Sequence, residues 1–213
     1  MNTATSATPA DDRIEEARRR ILEASLAEFA AHGWGGARVD RIAAAAGINK
    51  RLLYVHMGNK EALWIAALEH VYATMRAGES ELNLEKLGPL EGLQMLVRFN
   101  FRFHAERPEF LRMLNEENRQ GAAHLKKSDR VAAIYSPLLR LIRDILARGE
   151  AAGVIRRGLD PVQLYISIAA LSYFYCSNRH TLSAVFDRDL SAPHEMLERE
   201  QHVVDFVLHA VRP

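Results

Sequence analysis

The chain has 213 residues, with 28 lysines and arginines against 27 aspartates and glutamates, and one cysteine, Cys176. That length suffices for a buried core, in one medium domain or a small domain joined to a larger one. A net charge of +1 announces no polyanionic partner for the molecule as a whole, and a single cysteine excludes an intramolecular disulfide and fits a reducing, cytoplasmic setting.

Helical periodicity runs almost throughout and strand-like alternation never persists, so an all-α fold of about nine helices is expected. The first dozen residues, MNTATSATPADD, lack the cations and apolar run of a secretory signal and read as a disordered tail, residues 1–12. A helix over 13–32 places Ile21, Leu22, Leu26 and Phe29 on one face, and Gly33 stops it. WGGAR is a turn. A short helix over 39–46 follows, with Ile42 and the alanines inward, and Gly47 breaks it. Asn49 caps a helix over 50–56, Gly58-Asn59 is a second break, and Asn59 caps a helix over 60–79.

Residues 78–88 form a polar break. Pro89 opens a helix to residue 105, and Pro108 starts one ending near Gly121. AAHLKKSD reads as a loop or a frayed end. A helix over 129–152 contains Pro137, which predicts a kink or a later start at Ser136. Asp160, Pro161 and Gln163 signal the start of a helix reaching residue 181, and a last helix covers 194–211. The uncharged stretch 161–178 contains Gln163, serines and Asn178 and falls short of the roughly 20 apolar residues of a membrane span. A buried helix is expected there.

Residues 38–60 carry the most specific pattern: two short helices joined by a glycine turn, a helix-turn-helix. Ile42, Ala46, Ile48 and Leu53 face inward and lock the pair. Between Gly33 and Lys60 stand Arg38, Arg41, Lys50, Arg51 and Lys60 against Asp40 alone, a local net charge of +4 in a chain otherwise near neutral. Such a cluster suits binding to the DNA phosphates by counterion release.

The stretch RRRILEASLAEFAAHGWGGARVDRIAAAAGINKRLLYVHMGNKEALWIAAL resembles the DNA-binding domain of the tetracycline-repressor (TetR) family. The family's pattern positions read Phe29, Gly33, Ile42, Ala43, Ala46, Gly47, Ile48, Asn49, Leu53, Tyr54, Met57, Lys60 and Leu63. The pattern is departed from at Ala37 and Arg38, where threonine or serine is usual, at Asn49 in place of serine, and at Met57 in place of phenylalanine. The resemblance implies that the second short helix enters the major groove. Arg51 then pairs with guanine and Leu52 meets a thymine methyl. Asn49 and Lys50 reach bases or phosphates, and Arg38, Tyr54, His56 and Lys60 hold phosphates. Residues 13–60 are thus expected to be the DNA-binding domain.

In that family the remainder, here 61–213, is a helical effector-binding and dimerisation domain. Phe99, Asn100, Phe103, Met113, Glu117, Asn118, Ser172 and Tyr175 mix aromatic and polar groups as an effector pocket does. Leu164, Ile168, Leu171, Val203, Phe206 and Val207 are the expected homodimer contacts. ERPEFLRMLNEEN and LYISIAALSYFY resemble the pyrimidine-responsive RutR-type branch, sharing Arg112 and Glu117, which favours a flat aromatic or heterocyclic effector. The expected function is a dimeric repressor that binds a palindromic double-stranded operator and is released by a small molecule. The alternative is a DNA-bound adaptor whose effector is another protein. No GxSxG elbow, HExxH pair, phosphate-binding glycine loop or Cys/His metal cluster occurs, so neither catalysis nor a metal or other cofactor is expected.

Overall fold

The computed structural model describes residues 9–213, with side chains from residue 13 onward except at residue 132. The part of the expected tail over 1–8 lies outside the described residues. Residues 9–12, also expected in the tail, form the first turn of a helix. Nine α-helices appear among the described residues: α1 (Pro9–Gly36), α2 (Val39–Ala45), α3 (Lys50–Met57), α4 (Lys60–Glu81), α5 (Pro89–Glu106), α6 (Pro108–Arg119), α7 (Val131–Ala151), α8 (Pro161–Phe186) and α9 (Pro193–Val211). Two 3₁₀ turns, Leu84–Lys86 and Leu125–Lys127, fall in segments expected as a polar break and a loop. No strand is found among the described residues, and none of their helices is long and apolar enough to cross a membrane.

Local chemistry explains most boundaries. α1 is interrupted at Gly33, whose φ of 62° suits glycine and few other residues. The side chains of Asn49, Asn59 and Asp160 accept from the backbone N–H groups of Leu52, Ala62 and Gln163 at 2.7, 2.9 and 2.8 Å, as N-caps do. α7 starts before Pro137 and runs through it; the carbonyl that the missing N–H would have satisfied belongs to the exposed Ala133 and can turn to solvent. α8 continues past residue 181 to Phe186. Asn178, Thr181 and Ser183 bond back to carbonyls of their own helix, and no breaker intervenes before Asp187, which adopts φ 50°.

The chain divides into two compact units. One holds the described residues up to Val71 together with Arg112–Ser128; the other holds Tyr72–Leu111 and Asp129–Pro213. In the first, Ile21, Phe29, Ile42, Leu53, Leu63, Trp64, Leu68 and Met113 form the core, with Phe29 edge-on to Trp64 at 4.9 Å. In the second, α5 packs against α7, α8 and α9 around Leu93, Val97, Phe101, Ile142, Ile168, Val203 and Val204. Arg98 and Arg102 of α5 grip the buried Glu200 of α9, each at 2.8 Å.

Candidate nucleic-acid interface and effector site

α2, the turn at Gly47 (φ 67°) and α3 form the helix-turn-helix. Its inner face is apolar: Ile42, Ala43, Ala46, Leu53 and Met57 are buried, and Ile48 packs against them. Anchoring every fourth residue of a two-turn helix leaves the rest of α3 facing outward. Lys50, Arg51, Leu52, Tyr54 and Val55 are exposed, Leu52 at 39%, Tyr54 at 42% and Val55 at 73%. Val55 is the most exposed of these apolar groups, and the sequence reading passed over it because a valine ordinarily counts as core.

The expected cations are not equivalent. Lys50 pairs with Asp40 at 2.7 Å, which raises its pKa, and lies over the Tyr54 ring. Arg41 is held by Glu28 at 2.6 Å and also donates to the Gly36 carbonyl. Arg38 and Arg51 are exposed and have no ion-pair partner among the described residues. His56 is half-buried rather than exposed. Asn49 commits its Oδ1 to the cap, and its amide N–H groups are free of that bond. Lys60, also expected on a phosphate, donates from Nζ to the Trp34 carbonyl at 2.5 Å and sits 4.9 Å from the Trp34 ring. Burial, and then the Arg38 charge, lower its pKa. The bond to the Trp34 carbonyl ties the start of α4 to the turn after Gly33 and leaves two N–H donors.

The eight expected pocket residues are divided between the two units. Met113, Glu117 and Asn118 belong to the first unit, the others to the second. Met113 is fully buried core. Glu117 accepts from Trp64 Nε1 (2.8 Å), His124 Nδ1 (2.9 Å) and the backbone N–H groups of His124 (2.9 Å) and Leu125 (2.8 Å), so no lone pair is left idle for a ligand. Burial would raise its pKa, but these donors hold the carboxyl below its ordinary range. In the second unit Ser172 donates to the Ile168 carbonyl and Tyr175 to the Leu190 carbonyl. Phe99 and Phe103 line a half-open cavity of about 480 Å³ with three arginines: Arg98 and Arg102 serve Glu200, and Arg107 lies over the Phe103 ring. Asn100 is fully buried, and neither its side-chain oxygen nor its nitrogen has a partner. The sequence reading missed Arg76, whose side chain is 9% exposed. The available signal was a cation set in the apolar run VYATM of α4.

The expected dimer residues divide sharply. Leu164, Ile168, Val203 and Val207 are buried within this chain's own core, because α8 and α9 pack that face on α5. Leu171 and the exposed Phe206 line a groove of about 200 Å³ along α8 and α9, at whose floor the buried Leu164 and Val207 also lie. The outward stripe of α8 carries Val162, Ile166 and Phe174, all exposed, at four-residue intervals and their multiples.

Comparison with known proteins covers most of the chain. A family model for bacterial regulatory proteins of the tetR family matches residues 21–67, and one for the C-terminal domain of tetracyclin-repressor-like proteins matches residues 89–207. The HTH-type transcriptional repressor NicS of Pseudomonas putida is 33% identical over 200 residues, 94% of each chain. The HTH-type transcriptional regulator RutR of Escherichia coli is 25% identical over 202 residues, 94% of this chain and 92% of RutR. The solved structure of SCO4942 from Streptomyces coelicolor superposes with a TM-score of 0.68 at 25% identity, covering 92% of this chain and 99% of that one.

Proposed function

The chain belongs to the tetR family of bacterial transcriptional regulators, which bind DNA through a helix-turn-helix, and on that premise we propose that it is a homodimeric repressor released from a palindromic operator by a small molecule. The observation that carries the reading is the exposed row on α3. Arg51, Leu52, Tyr54 and Val55 project from a helix whose opposite face is locked into the core by Leu53 and Met57. In a major groove such a row supplies a guanidinium for guanine and methyls for thymine, while Arg38 and the Asn49 amide reach the backbone. One two-turn helix reads few base pairs. Two copies related by a dyad read two half-sites about one DNA turn apart. The exposed apolar stripe of Val162, Ile166 and Phe174 with Phe206 is the face on which the copies meet.

The effector belongs in the helical second unit. α4 and α6 each contain residues of both units, so a ligand that prefers one placement of these helices alters the first unit as well. Operator affinity falls when the effector is bound, and effector affinity falls by the same factor on DNA. The repressor name of NicS supports release rather than recruitment.

The test is enrichment of duplexes from a random pool, followed by fluorescence anisotropy of the enriched sequence at rising salt. The reading expects tight, sequence-selective and salt-sensitive binding at two chains per duplex. A monomer that attaches to no duplex would end it.

A further inference from the structure

Resting on the reading that the second unit holds a small-molecule effector, we propose that this effector is a planar aromatic or heteroaromatic carboxylate, with its anionic group received by Arg76. The guanidinium is nine-tenths buried, yet its Nε and Nη1 make no hydrogen bond. Nη2 reaches Tyr165 Oη only at 3.4 Å and stands 3.0 Å from Glu79 Oε1, too poorly directed to bond, so that oxygen is also left unbonded. Glu79 is a weak counterion as well. Burial pushes its carboxyl up to about 7, against the pull of Arg76, so it is only partly ionised near neutrality. A buried cation with idle donors and a half-charged neighbour is costly unless something completes it.

The surroundings say what completes it. The guanidinium carbon lies 4.9 Å from the Tyr135 ring centroid and 5.6 Å from that of Tyr165. Tyr72 stands edge-on to Tyr135 and to Phe110, at 5.4 Å each. Aromatic rings flanking the guanidinium favour a flat ring beside it. Arg76 and Glu79 also line a cavity of about 300 Å³ with Asn83, Glu85, Pro137 and Leu138, and its volume suits a ligand of one or two rings approaching the guanidinium. In the same unit, Asn100 adds an idle amide donor and acceptor. One turn along α5, the Nδ1–H of His104 donates to the Asn100 carbonyl at 2.7 Å. Burial keeps that imidazole neutral, the Arg76 charge acting in the same direction, so its Nε2 is an acceptor. A neutral ligand leaves Arg76 with the partly ionised Glu79 alone, whereas a carboxylate brings acceptors for the idle Nε and Nη1. The 480 Å³ cavity makes no such demand: Glu200 serves its Arg98 and Arg102, and its Arg107 lies beside Glu106 and over the Phe103 ring.

Isothermal titration of the full chain with benzoate, the three hydroxybenzoates and the three pyridinecarboxylates, each against its own carboxamide, decides the matter. At least one carboxylate is expected to bind tenfold or more tighter than its amide and to lose tenfold or more in Arg76→Met. Arg76→Lys is expected to recover part of the loss. If Arg76→Met fails to fold, by circular dichroism, the carboxylate–carboxamide contrast in the native chain and the affinity of Asn100→Leu carry the test. Absence of any carboxylate preference, or undiminished binding by folded Arg76→Met, overturns the proposal while leaving the effector reading intact. Operator affinity unchanged by a bound carboxylate removes the effector reading and leaves the anion site standing.

Discussion

At the scale of single residues, two cations that look alike in the sequence part company. Arg51 is exposed and unpaired among the described residues, whereas Lys60 is turned inward onto the Trp34 carbonyl and ring. Arg51→Ala should therefore lose about 1–3 kcal/mol of preference for the operator over random DNA, read as a ratio of dissociation constants, while melting like the parent. Lys60→Met should lower the melting temperature and leave the ratio of the two affinities unchanged. Glu117 is a third case. Its four donors make Glu117→Gln costly by about 1–3 kcal/mol in denaturant titrations, because an amide N–H must then face a donor. Its folded pKa is depressed, so its share of stability is present above the unfolded carboxyl value and is lost as pH falls through the folded one. Melting curves below pH 4.5 should fall more steeply for the native chain than for Glu117→Gln.

At the scale of elements, the local signals were legible and the distant ones were not. Asn49, Asn59 and Asp160 cap the helices the sequence assigns to them, since a cap is decided within three residues. Asn49→Ala should cost about 1 kcal/mol of stability. It should also weaken DNA binding by loosening the start of α3. The same locality explains why Gly33 and Gly47 were readable as breaks. The passage of α7 through Pro137 depends on solvent at Ala133, which no local pattern records. Sequence periodicity marks Leu164, Ile168, Val203 and Val207 as apolar positions of α8 and α9 but cannot say which neighbour they meet, and α5 takes that face. Arg76 and Glu117 were obscured likewise: the first looks like an ordinary helix cation, and the donors that satisfy the second lie up to 53 residues away. The exposure of Lys50, Arg51, Leu52 and Tyr54 on α3, set by a two-turn helix and its own caps, was the most legible part of the candidate site.

At the scale of the whole molecule, the account requires two copies. The stripe of Val162, Ile166 and Phe174, with Phe206, leaves apolar surface that a second chain would cover. Ile166→Glu with Phe206→Glu should give monomers in sedimentation velocity at concentrations where the native chain is a dimer. DNA affinity should fall with the loss of the second reading helix, although each monomer keeps its fold. The central claim is that paired α3 helices read a two-fold operator. A hydroxyl-radical footprint of the full chain on an enriched duplex tests it most directly. The account predicts two equivalent protected patches, related by a dyad and separated by about one DNA turn. A single unsymmetric patch, or none under conditions where the chain is dimeric, would contradict it.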